Sequence, residues 1–146
     1  KYDINRNYYF NYDKLINKND YINKFIIDNI KNKNIDLIID MHEARNFRKI
    51  TKKSMGNMLV SNNYNLSNNI GKYLKRKINK TIKNKNKKYV FSSKIKIKKN
   101  SLRWYCNKIK KPYLLIETCK KNNLNKRINE NNFLLKNLLE YLVKLK

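Results

Sequence analysis

Two short segments, residues 35–41 and 113–118, are almost uninterrupted runs of apolar and β-branched side chains, and they constrain the fold most. Runs of this length and type read as strands buried on both faces, because a strand with one wet face would alternate apolar with polar residues. A strand covered on both sides needs helices above and below it. The spacing between the two runs supplies them. Ile22, Phe25, Ile26 and Ile30 recur at helical intervals, with Asn19 or Asp20 placed to cap. A second helix spans 66–82 with Ile70, Tyr73, Leu74 and Ile78 as its stripe, and a third spans 133–145 on Leu134, Leu138, Tyr141 and Leu145. Ser101 is placed to cap a short helix through Trp104 to Ile109, and residues 57–61 and 89–97 read as further strands. The Asn/Lys runs at 83–88 and 120–126 read as loops. Alternating helices and strands of this kind predict an α/β layered fold with a mixed, mostly parallel sheet and flanking helices.

The chain has 146 residues, enough for one domain with a substantial core. It begins with Lys1, which reads as a fragment, a processed product or the downstream part of a broken frame. Gly56, Gly71 and Pro112 are its only Gly and Pro residues, so Asn is expected to take over the left-handed turn positions. Lys and Arg number 36 against 10 acids, a net charge of +26. Such a charge points to nucleic acid or an anionic surface, yet Lys, Asn, Ile and Tyr are also what AT-rich codons encode. The charge is spread along the chain without a compact basic motif, which makes nucleic acid the weaker reading. Cys106 and Cys119 lack Cys-x-x-Cys spacing and read as a reduced pair, which favours the cytoplasm. No apolar run is long enough to span a bilayer.

Chemistry enters at the strand ends, where open α/β sheets collect ligands. His42, the only histidine, follows the first strand, and Glu117 lies at the end of the late one. A lone imidazole is usually structural, and a zinc site needs three or four protein ligands. His42-Glu43 does not open a His-Glu-x-x-His motif, because the fifth position is Asn46 and the preceding residues read as strand.

Three motifs together resemble the zinc metallocarboxypeptidase family. Asp3-Ile4-Asn5-Arg6-Asn7-Tyr8 is similar to its Asp-Leu-Asn-Arg-Asn-Phe segment, residues 36–42 to the strand ending in its third zinc ligand, and Pro112 to Thr118 to the strand bearing its catalytic glutamate. Ser101-Leu102-Arg103-Trp104-Tyr105 and the helix after Arg127 also look like bacterial members. The resemblance implies that His42 is a metal ligand, that Glu117 is the catalytic base, and that Asn5 and Arg6 hold the substrate's terminal carboxylate. It implies zinc as cofactor and a peptide with a free C-terminal carboxylate as substrate. Asp40 or Glu43 would orient His42, and Tyr89 and Tyr105 are candidates for a tyrosine that covers substrate. The family's first two ligands come from an upstream His-x-x-Glu segment, so residues 1–146 read as the C-terminal portion of the catalytic domain. Deacylases of the succinylglutamate desuccinylase and aspartoacylase type share the same three features and would take N-acyl amino acids. The residues also leave open an inactive remnant of such a hydrolase, or a basic nucleic-acid-binding fragment.

Overall fold

The computed structural model describes Tyr8 and residues 21–145. In chain order these form α1 (Tyr21–Asn32), β1 (Ile38–Ala44), β2 (Met58–Ser61), α2 (Asn65–Thr81), β3 (Val90–Ser92), α3 (Leu102–Lys108), β4 (Tyr113–Cys119) and α4 (Leu124–Val143), with a 3₁₀ turn at Lys85–Lys87. The strands lie in the order β1-β4-β2-β3. The β1/β4 and β2/β3 pairs are parallel and the β2/β4 pair is antiparallel, as expected of a mixed, mostly parallel sheet.

Alternation along each strand divides the core in two. Leu59, Leu114 and Ile116 face Ile70, Leu74 and Ile78 of α2 and Leu134 and Leu138 of α4. Ile38 and Tyr113 face the other way, onto Ile27 and Ile30 of α1 and Leu102, Tyr105 and Cys106 of α3, with Tyr8 in the same cluster. Each fully buried aliphatic side chain contributes about 1.5–3 kcal/mol, so these two layers dominate the stability. Asn62 joins β2 to β4: its amide donates to Lys111 O at 2.8 Å, and its side-chain oxygen accepts from Tyr113 N at 3.0 Å.

Asn carries the sharp turns, as the scarcity of Gly predicts. Asn57, Asn63 and Asn100 have positive φ, together with Lys110, and neither glycine does. The glycines serve close approach instead. A Cβ on Gly71 would press into the Phe91 ring and lie 3.3 Å from Leu114 Cδ1, so bare backbone at this point lets α2 settle on β3. Both cysteines are buried and unbridged. No described helix is long and apolar enough to cross a membrane.

Three element ends and one helix face differ from the sequence reading. β1 starts at Ile38 and continues to Ala44, because its pairing with β4 carries on through Glu43↔Thr118 and Ala44↔Cys119. β3 stops at Ser92, and the alternating residues beyond it form a crossing segment with bends at Ser93 and Ile95 and no ladder. α4 starts at Leu124, nine residues before the apolar stripe begins, with the Asn123 side chain accepting from Lys126 N as its cap. Finally, α1 buries Asn23, Ile27 and Ile30 while Phe25 points outward at 68% exposure.

Candidate active site

The two helices on the Tyr113 face cover only the amino-terminal part of β1 and β4. Beyond them the same face stays open, and there the alternation places Asp40 and His42 on β1 and Glu117 on β4. His42 and Glu117 are direct cross-strand partners, so their side chains emerge side by side from neighbouring strands about 4.8 Å apart. Both lie within their strands, two residues before each strand ends.

Asp40 settles which carboxylate orients the imidazole. Its Oδ1 lies 2.7 Å from His42 Nε2, and its Oδ2 accepts from Tyr113 Oη at 2.6 Å. Two points of attachment fix the carboxylate, and the carboxylate fixes the ring. A neutral ring that donates Nε2–H to Asp40 carries its lone pair on Nδ1, the form in which histidine ligates metals. Glu43 points to the opposite face, where it pairs with Arg127.

Glu117 is half-buried, and its Oε2 is fully enclosed with no hydrogen-bond partner among the described residues. Burial raises its pKa above the ordinary carboxylate value, and the charge of Asp40 raises it further, while His42 opposes both. A carboxylate in this setting binds a proton more readily than a solvated one.

A cleft of about 210 Å³ joins these groups, with Asp40, His42, Glu117 and Tyr113 on its floor. Its wall is the crossing segment 95–98 together with Arg103 of α3. Sequence pattern alone does not mark Arg103 as a site residue. The available signal is its place between Leu102, Tyr105 and Cys106 on a helix face that is otherwise apolar and buried.

Tyr89 and Tyr105 are not substrate covers. Tyr89 is wholly buried on the other side of the sheet, donating to Glu130 Oε2 at 3.1 Å, and Tyr105 is wholly buried between α1 and α3. Asn5 and Arg6 lie outside the described residues. A wider depression of about 790 Å³ runs along α2, lined by Lys72, Lys75, Arg76, Lys80, Lys83 and Lys88 with no acid in its wall. It shares no residue with the His42 cleft.

The donor set fits zinc in part. His42, with a carboxylate behind it, has the form of one zinc ligand. Catalytic zinc takes three protein ligands, and no group of three His, Cys, Asp or Glu able to hold a metal converges among the described residues.

Sheet order and helices on both faces make a mixed α/β layered fold with an imidazole–carboxylate pair at its open end. Solved structures of the cell shape determinant protein Csd4 from Helicobacter pylori share it. The tripeptide-bound form superposes with a TM-score of 0.75 at 18% identity, over 96% of this chain and 38% of that chain. The mDAP-bound form, described as a D,L-carboxypeptidase, gives 0.69 at 17% identity over 94% and 37%. The apo form gives 0.72 at 17% over the same shares. This chain therefore spans under two fifths of the length of these neighbours, and at such identity the likeness is one of fold. No protein-family model and no curated protein matches the chain.

Proposed function

We propose that this chain is the C-terminal portion of a zinc carboxypeptidase-like catalytic domain and that it contributes to hydrolysis of a C-terminal peptide bond. The observation that carries this reading is the in-register His42–Glu117 pair at the open end of β1 and β4, with Asp40 behind the imidazole. The Csd4 structures, bound to a tripeptide and to mDAP, support peptide hydrolysis by a protein of this fold.

In this proposal His42 supplies one ligand through Nδ1, and the other ligands come from outside the described residues. Zinc, when bound, supplies Lewis-acid polarisation of the scissile carbonyl and lowers the pKa of the attacking water. Glu117 takes the proton of the attacking water on its carboxylate, through the oxygen that is not enclosed, and returns it to the leaving amine; its raised pKa suits both steps. Asp40 keeps the imidazole oriented and balances charge on it. Asn5 and Arg6 grip the substrate's terminal carboxylate, the guanidinium in bidentate fashion, which selects the terminal bond.

The full-length protein carrying this chain, assayed with zinc, should hydrolyse peptides with free C-termini and not the same peptides as C-terminal amides. Glu117→Gln should lower turnover by about 10²–10⁴-fold. Cleavage of N-acyl amino acids in preference to peptides would assign the site to a deacylase instead. Equal turnover in the Gln variant would overturn the role of Glu117.

The α2 groove favours a second reading outside catalysis, binding of a nucleic acid. That reading expects affinity to fall steeply with salt and Lys72, Arg76 and Lys80 to carry the effect.

A further inference from the structure

We infer that Arg103 receives an anionic group on the side chain of the substrate residue, so that the preferred substrate ends in an acidic residue. This deepens the carboxypeptidase reading and rests on it.

Arg103 is 7% exposed and has only neutral partners among the described residues. Its guanidinium donates to Ile95 O at 2.9 Å, to Ser61 O at 2.5 Å and to Ser93 O at 3.2 Å. Its Nε is enclosed without a partner. Guanidinium stays charged under all ordinary conditions, and a buried cation facing only carbonyl dipoles is costly. A purely structural clamp on the 93–98 segment explains the three carbonyl bonds. It does not explain a cation, where a neutral donor would tie the same carbonyls at lower desolvation cost, nor the unpartnered Nε.

Position completes the inference. Ser61 is level with Leu114 in the β2/β4 ladder, and Glu117 lies three residues further along β4. At about 3.3 Å per residue the guanidinium sits roughly 10 Å from the reacting end of the cleft. Arg103, His42 and Glu117 line the same cavity, and the exposed Lys96 and Lys98 stand at its wall. A volume of about 210 Å³ is below the roughly 300–1,000 Å³ of drug-sized pockets and suits a single residue. A side chain of Glu length, its scissile bond held at Glu117, reaches towards Arg103 with its own carboxylate. The terminal carboxylate is a separate group, held elsewhere.

The test compares two ligands that differ only in charge, Ala-Glu and Ala-Gln, for binding to and hydrolysis by the full-length protein. The wild type should bind Ala-Glu at least tenfold more tightly. Arg103→Gln should bring the ratio to about one, and Arg103→Lys should leave an intermediate ratio, since Lys keeps the charge and loses the planar fork. Hydrolysis of both dipeptides without preference would overturn this inference and leave the carboxypeptidase reading intact. Failure to bind or cleave either would overturn both. Should Arg103→Gln not fold, the wild-type ratio alone decides: a value near one refutes the role of Arg103. A preference that persists in a folded Arg103→Gln protein also refutes it.

Discussion

Glu117→Gln is expected to stabilise the fold while removing the proton acceptor. The carboxyl oxygen Oε2 is enclosed with no partner among the described residues, and burial is the main cause of the raised pKa. An unpartnered buried polar group costs about 1–3 kcal/mol, and a charged one more. An amide of the same shape keeps the neutral part of that cost and drops the ionic part, a gain on the order of 1 kcal/mol. In a domain of this size such a gain raises Tm by roughly 3 °C. The pH dependence has a fixed sign. Because the folded pKa lies above the unfolded value, the protonated carboxyl favours the folded state. That contribution is complete below the unfolded pKa of about 4.3 and is lost as pH rises through the higher folded pKa. The Gln variant should therefore match the wild type at about pH 3.5 and exceed it at about pH 8. Urea denaturation at the two pH values measures the difference. A variant less stable at the higher pH, or a gain independent of pH, would refute the burial reasoning. Under the proposed function the same change should lower turnover by about 10²–10⁴-fold.

Gly71→Ala sets helix propensity, worth about 1 kcal/mol in favour, against a Cβ 2.6 Å from Phe91 Cδ2. Overpacking costs about 1–3 kcal/mol, so the variant should lose stability by up to about 2 kcal/mol, and a Phe91→Leu background should reverse the sign. Tyr113→Phe removes the 2.6 Å bond to Asp40 and should cost about 1.5–3 kcal/mol in chemical denaturation, since the acceptor is a carboxylate. Ser101→Ala removes the cap to Trp104 N and the bond to Lys98 O, and should cost about 0.5–2 kcal/mol by the same measurement.

The parts of the fold legible in the sequence are those set by local pattern. The run around Leu114 reads as a buried strand because both of its faces are covered, whereas β1, at the end of the described strand order, buries only Ile38 and leaves Met41 exposed. Ile70, Leu74 and Ile78 read as a helix face because one stripe packs. Ser101 caps its helix as its position implies. The misread parts depend on tertiary contacts. Ile95 and Ile97 alternate with lysines, the signature of a half-buried strand, but Arg103 ties the carbonyls of Ser93 and Ile95, and the segment walls a cleft instead of extending the sheet. The first turns of α4 carry Asn, Lys and Arg with Leu124 and Ile128 exposed, so they offer no stripe to read. At the site, the two groups are visible as residue types at strand ends. Their in-register pairing is not, because register between strands far apart in sequence is set by the whole sheet. The bond from Tyr113 to Asp40, 73 residues apart, is equally out of reach.

Zinc binding by the full-length protein tests the central claim most directly, because His42 and Glu117 are assigned different duties in one site. The wild type should hold one zinc per chain, His42→Ala should lose it, and Glu117→Gln should keep it with turnover sharply lowered. Unchanged zinc affinity in His42→Ala, or a wild type that takes up no zinc, would contradict the account.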